Sequence, residues 1–381
     1  MKKIIRITTS SGSLRSLLKG QLRFMNQHYE IIGVATSGIG IDQVREREGI
    51  QTIAIDMTRH ISPIQDLIAT YKLYKLIKKE EPFAVHTHTP KAGTLGMLAS
   101  RLAGVKHRLH TIAGMPLLVE KGIKRKILNV VEKFTYKNAT VVLPNSNGLY
   151  NIIIEKKLAK PEKLKVIGNG SSNGINTTHF NSINISDEDK RNLRGSLNYS
   201  DDDIIFIFIG RLVKDKGTNE LIQAFCELNG ANNKCKLLLV GLYEQHMDPL
   251  NKNTSDLIES NDAINFVGRQ ADVRPYLAIS NVLTFPSYRE GFPNVVLEAG
   301  AMGLPSIVTN INGCNEIIED QFNGLIIPVR DVESLLTAMK FMINNPDKRK
   351  RMASNARTKI VSNYEQDYVW NEILKLYNSL N

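Results

Sequence analysis

The chain has 381 residues, 42% apolar and 23% charged, with a formal net charge of +11. That length suits two domains of ordinary size, each with its own core, and no stretch approaches the roughly 18 continuous apolar residues of a membrane span. Cys226, Cys235 and Cys314 form no paired or metal-spaced pattern, which argues for a reduced, cytosolic compartment and against a disulfide-stapled fold.

Residues 1–9 begin basic and apolar, as a signal peptide does, but Arg6 interrupts the run and the segment reads as a first strand. Further short apolar runs at 31–37, 52–56, 84–88, 107–114, 140–146 and 163–170 predict a first parallel sheet, with helices such as 63–80 and 93–103 between its strands. The sequence GNGSSNG at residues 168–174 has the composition of an interdomain connection. Runs at 203–210, 235–242, 264–268, 281–287, 305–310 and 323–329 predict a second sheet. The last segment, 367–380, carries Val369, Trp370, Ile373, Leu374, Leu376 and Tyr377 at helical spacing. No tandem repeat at solenoid spacing is present.

Charge is divided unevenly along this plan. Residues 1–169 hold 28 Lys+Arg and 12 Asp+Glu, against 21 and 26 in the remainder. The densest basic stretch, Lys121, Lys124, Arg125 and Lys126, follows an apolar run at 115–119 that reads as exposed (Met115, Leu117, Leu118, Val119) and precedes an amphipathic stretch at 127–136. Basic beside apolar side chains suits an anionic membrane surface. A solvated charge run beside a core helix is the alternative. Nucleic-acid binding is not expected, because the aromatic-and-basic signatures of the common modules are absent.

The most informative chemistry lies at residues 281–309, NVLTFPSYREGFPNVVLEAGAMGLPSIVT, which read as strand, loop, helix (294–302) and strand. In such a unit the loop lies at the carboxyl end of the sheet, where open α/β folds bind ligands, and the helix start attracts anions. Glu290 then stands in that crevice, and Glu298 lies about one turn into the helix. Two carboxylates can grip the paired hydroxyls of a sugar or ribose. Earlier, a buried strand at 204–209 ends in Gly210, where the backbone can turn closely past a ligand; Arg211 and Lys216 can then reach a diphosphate, one as a fork and one as a point charge.

The Glu-x7-Glu spacing resembles that of retaining glycosyltransferases of family 4. Residues 208–217 are similar to the family's GRL…KG element, and 266–287 to the element whose first loop, here with Arg269, receives the nucleotide base. The resemblance implies an α/β GT-B fold: two Rossmann-like parallel-sheet domains with an interdomain cleft. An acceptor-binding domain would span 1–168, with helix 365–381 packing back on it, and a nucleotide-sugar domain would span 169–364. It implies retaining hexosyl or N-acetylhexosaminyl transfer, with Glu290, Arg211 and Lys216 catalytic. Gly210, Arg269, Gly291, Phe292, Asn294 and Glu298 would hold the donor.

The segment HTPKAG at 88–93 is similar to one in capsule and O-antigen transferases of the same family, which implies a polyprenyl-diphosphate-linked sugar acceptor, a UDP-sugar donor and a place on the inner face of the cytoplasmic membrane. On the phosphate or acceptor side the candidates are Gly12 in the SSGS turn at 10–13, His88 and Lys91; for His88 a satisfied core histidine is the competing reading. One departure stands out: where many relatives carry a histidine before a glycine, this chain has Ala113, and His110, three residues earlier, is turned by the pleat to the opposite face. No cofactor or metal is expected. His86 and His88 lack a third ligand at metal spacing, and the triplet 201–203 reads as a solvated turn before a strand. The alternatives are a GT-B nucleotide-sugar epimerase and a non-catalytic nucleotide-sugar-binding subunit.

Overall fold

The computed structural model describes every residue except 59, 61, 116, 118–120, 232, 233, 245–247 and 381. It divides into two compact units, residues 1–174 with 367–381, and residues 175–366.

The first unit is a six-stranded sheet of β1 (Lys3–Ile7), β2 (Glu30–Ala35), β3 (Gln51–Ala54), β4 (Ala84–Thr87), β5 (His107–Ile112) and β6 (Val141–Pro144), in the order β3-β2-β1-β4-β5-β6 with every pairing parallel. Parallel strands need crossover helices, and these strands are buried on both faces, which is why they read as continuous apolar runs. Helices α1 (Ser11–Leu17), α2 (Gln21–Asn26) and α3 (Ile39–Glu48) serve the β1–β3 half. Helices α4 (Pro63–Glu80), α5 (Pro90–Leu102) and α6 (Gly122–Asn138) serve the other, α4 packing on α5 and α5 on α6, and α7 (Asn147–Glu155) follows β6. The C-terminal segment, with Val369, Trp370, Ile373, Leu376 and Tyr377, joins Ile4, Leu14, Leu18 and Leu22 in one apolar cluster.

Two expected elements differ. The helix read as 93–103 starts at Pro90, whose fixed φ suits a first helical position. Residues 163–170 are not a strand: Leu164 makes one isolated bridge with Val142, after which the chain turns through Gly168 and Gly170, both at positive φ. A left-handed backbone at two glycines cannot continue a ladder.

The second unit repeats the plan with β7 (Ile204–Ile209), β8 (Cys235–Val240), β9 (Ile264–Phe266), β10 (Val282–Phe285), β11 (Ser306–Thr309) and β12 (Gly324–Ile327), ordered β12-β11-β10-β7-β8-β9 and parallel throughout. Its helices are α8 (Asp187–Ser196), α9 (Thr218–Ala231), α10 (Lys252–Ser260), α11 (Arg274–Ala278), α12 (Asn294–Ala301), α13 (Cys314–Ile317), α14 (Val332–Asn344) and α15 (Pro346–Tyr364). In both sheets strand order reverses at one place, between β1 and β4 and between β7 and β10, and ligands of open α/β sheets bind outside the carboxyl ends there. The loops after these four strands are therefore where chemistry is expected.

Candidate functional site

At the switch point of the second sheet, the loop after β7 and the loop after β10 are tied together by charge. The Lys216 ammonium pairs with Glu290 Oε1, which also accepts from Ser287 Oγ at 2.9 Å. Both partners are largely sheltered, with side-chain exposures of 18% and 16%. One residue back, Asp215 meets Arg289 at 2.7 Å, and the Asp215 carbonyl accepts from the Tyr288 amide at 2.9 Å. Gly217 completes the turn: its φ is +70°, and a Cβ there would lie 2.1 Å from the Pro286 carbonyl oxygen, so only glycine lets the two loops approach.

A third loop, after β11, supports Glu290 from behind. Asn312 Nδ2 donates to the carbonyls of Glu290 and Gly291, and Thr309 Oγ1 to that of Ser287. Gly313 has a φ of +77°, and a Cβ on it would sit 2.3 Å from the Gly291 carbonyl oxygen. Asp215, Ser287, Arg289, Asn312 and Gly313 were not among the residues singled out from sequence. The Asn312-Gly313 dipeptide, with two residues between it and the end of β11 at Thr309, is the one signal that points to any of them.

Helix α12 begins at Asn294, next to Glu290, with Pro293 at its N-cap and no side chain capping it. Its positive end is thus available to an anion. Gly291 is buried, as is Phe292, whose ring packs on Tyr364 at 5.4 Å, while Asn294 is exposed and Glu298 half-buried. Gly210 directly follows β7, and Arg211 beside it pairs with Glu244 at 3.0 Å with 41% of its side chain exposed. Arg269 is exposed on the loop after the edge strand β9, two strand spacings, or about 10 Å, from β7. Lys216, Glu290, Gly291 and the start of α12 therefore converge; Arg269 stands on a separate loop.

The candidates of the first unit are held differently. Ser10 caps α1 by accepting from the Ser13 amide at 3.1 Å, and Gly12 is exposed in the helix's first turn. The Lys91 ammonium meets Asp66 of α4 at 2.5 Å. His88 is buried: its Nε2 accepts from Arg6 Nε at 2.9 Å, which leaves the proton on Nδ1, and its ring lies 4.1 Å from that of His86. His86 shares hydrogen bonds with Tyr377 Oη at 2.6 Å and Thr111 Oγ1 at 2.7 Å. Burial, then the charge of Arg6 and neighbouring imidazoles, pushes both rings well below the ordinary histidine range. His110 faces α5, bonded to Thr87 Oγ1 at 2.8 Å and so close to Gly93 that a Cβ there would lie 2.3 Å from its ring; burial pushes it down to about 4. Ala113 is exposed just past β5. These histidines are neutral core groups.

Among the described residues no group of three His, Cys, Asp or Glu could hold a metal ion. Asp201 and Asp202 are exposed in a turn before β7, and Asp203 is buried, its carboxylate accepting from the Ser200 amide at 2.8 Å. Of the apolar run at 115–119, the two described residues are buried rather than exposed. Met115 and Leu117 are 3% and 0% exposed, and Leu118 and Val119 lie outside the described residues.

Known proteins resemble this chain in sequence and in fold. The family described as glycosyl transferases group 1 matches residues 189–359, and the glycosyl transferase 4-like domain matches residues 26–170. The chain is 30% identical to a capsular polysaccharide biosynthesis glycosyltransferase of Staphylococcus aureus, over 99% of this chain and 97% of that protein. It is also 30% identical to an Escherichia coli UDP-Gal:alpha-D-GlcNAc-diphosphoundecaprenol alpha-1,3-galactosyltransferase, over 94% and 93%. In fold it matches Anabaena HepE, solved with UDP and glucose, at a TM-score of 0.83 and 19% identity over the whole of both chains. With two parallel sheets of this order and relatives alike along nearly their full length, the chain belongs to the family 4 glycosyltransferases and has the GT-B fold.

Proposed function

We propose that this glycosyltransferase moves a hexosyl or N-acetylhexosaminyl group from a UDP-sugar to a polyprenyl-diphosphate-linked saccharide, with retention at the anomeric carbon and without a metal, in the assembly of a surface polysaccharide. The observation that carries the reading is the Lys216–Glu290 pair at the mouth of β7 and β10, beside the uncapped start of α12. Glu290, braced by Ser287 and with its carbonyl held by Asn312, holds donor-sugar hydroxyls on this reading, together with backbone N–H groups of Gly291, Phe292 and Asn294. On this reading Lys216 and Arg211 take up charge on the leaving diphosphate, and Glu298 grips the ribose. Such preorganised charge and positioning carry most of the barrier lowering in this kind of transfer. As the C1–O bond to UDP breaks, a departing phosphate oxygen accepts the acceptor hydroxyl proton on the same face, so a basic side chain is not required. That fits a first unit in which His86, His88 and His110 are buried and neutral.

The choice of acceptor is supported by the Escherichia coli relative and by a Campylobacter jejuni N,N'-diacetylbacillosaminyl-diphospho-undecaprenol alpha-1,3-N-acetylgalactosaminyltransferase, 26% identical over 87% of this chain. The test is UDP release with undecaprenyl-diphosphate saccharides present or absent, across a set of UDP-sugars ranked first by ligand-dependent melting. Release that depends on acceptor and persists in excess EDTA is expected. Release without acceptor, or activity lost to EDTA and restored by Mg²⁺ or Mn²⁺, contradicts the reading.

A further inference from the structure

Amphipathic helices of globular proteins turn their apolar stripe inward. Helix α6 instead buries Glu132, Thr135, Tyr136 and Asn138 and carries an apolar stripe pointing out: Ile123 is 77% exposed, Ile127 45%, Val130 67% and Phe134 40%. At 100° per residue these four fall within an arc of about 60°, roughly opposite the buried face. Helix α4 repeats the pattern, burying Ala69, Leu73 and Ile77 and exposing Ile64 at 77%, Leu67 at 72%, Ile68 at 50% and Tyr71 at 54%. Both helices flank α5 on one side of the first sheet, and Leu102, at the end of α5, is 61% exposed. Eight of the seventeen exposed large apolar side chains among the described residues lie on these two helices, while those of the second unit are scattered. Single exposed apolar residues need no explanation; two parallel stripes do.

The charge beside the stripes selects what covers them. On α6, Lys126, Lys133 and Lys137 are exposed along one edge of the stripe, and the helix's one acid, Glu132, is buried. On α4 the outward face turns basic beyond Tyr71, with exposed Lys72, Lys75, Lys78 and Lys79. A symmetric pair of copies joined through this face would set these lysines against their own kind. An anionic bilayer satisfies both features, taking the apolar stripe below its headgroups and the lysines among them.

We infer that α4 and α6 form a bilayer-docking face that seats the first unit on anionic lipid. This rests on the lipid-linked acceptor reading only for its purpose, because the surface is defined without reference to donor or acceptor. It also relocates the apolar part of the contact, from the buried Met115 and Leu117 to Ile123, Ile127, Val130 and Phe134 with their α4 counterparts.

The test is co-sedimentation of the full chain with vesicles of phosphatidylcholine, with and without phosphatidylglycerol, in the absence of any sugar nucleotide. Binding that requires phosphatidylglycerol is expected. It should weaken at least tenfold when salt rises from 0.1 M to 1 M, where the screening length falls from about 10 Å to about 3 Å. Replacing Ile123, Ile127, Val130 and Phe134 by Gln, or separately Lys72, Lys75, Lys78 and Lys79 by Gln, should each reduce it at least tenfold with helix content and UDP affinity unchanged. Equal binding to neutral vesicles, or no loss in either variant, overturns the proposal. So does a wild-type dimer in solution that the apolar variant dissociates, since a second copy then covers the face. Failure of transfer chemistry would leave vesicle binding intact, so the two readings fail separately.

Discussion

The two sheets share one strand order and differ in what stands at the point where it reverses. In the second unit the loops beyond β7 and β10 hold opposite charges, Lys216 with Glu290 and Asp215 with Arg289, partly open to solvent. In the first unit the matching strands end in hydroxyls and imidazoles around one buried cation: the Thr9 hydroxyl lies 2.7 Å from that of Thr89, His86 and His88 are held by Tyr377 and Arg6, and an ion pair nearby, Lys91 with Asp66, ties α5 to α4. Charge pairs at a strand end can be exchanged for a ligand's charges. Buried imidazoles beside a buried cation mainly fix the backbone around them, because protonating them means adding a second desolvated charge. Under the proposed function the same architecture provides one chemical end and one structural end, and function follows the site rather than the fold.

The comparison is broken most readily from the chemical side. Glu290→Gln and Arg211→Ala should each lower transfer roughly a hundredfold or more, a loss of about 3 kcal/mol in transition-state stabilisation, with melting temperature little changed. Initial rates of UDP release check this.

A comparable free energy is expected in the first unit, but as stability rather than rate. His110 is neutral in the fold down to about pH 4, whereas in the unfolded chain it takes up a proton near 6.5. Between those values the unfolded state binds more protons, so stability is full above about pH 6.5 and falls as pH drops toward 4, by about 3 kcal/mol at most from this group. His110→Asn, which keeps an acceptor toward Thr87, should flatten that part of the pH profile in denaturant melts. An unchanged slope would mean the ring is not held neutral.

The smallest effect sharpens the donor end. Glu298→Gln should weaken UDP binding about tenfold, near 1.4 kcal/mol, and leave turnover at saturating donor nearly intact. Calorimetric titration with UDP decides it; unchanged affinity removes Glu298 from the ribose.

What the sequence made legible was local. The strand–loop–helix segment around Glu290 and the turn from Gly210 to Gly217 are contiguous, and their turn residues announce themselves. What it hid was long-range or directional. Nothing local pairs Asp215 with Arg289, or sets Asn312 behind Glu290, because those contacts form only once parallel strands bring distant loops to one edge. Apolar periodicity likewise gives a stripe's spacing but not its direction, which is why Met115 and Leu117 read as exposed and proved buried, while Ile123 and Phe134 point outward. Residues 163–170 read as a strand on composition, yet the positive φ at Gly168 and Gly170 ends any pairing after Leu164.

The most direct test runs Glu290→Gln beside His88→Gln in one assay of acceptor-dependent UDP release. The account predicts that the first loses at least a hundredfold in rate with its melting temperature kept, and that the second keeps turnover within a few-fold while melting earlier, since Arg6 then loses its buried partner. A Glu290→Gln enzyme at near-normal rate, or a stable His88→Gln enzyme without activity, would contradict the assignment of chemistry to the second switch point and structure to the first.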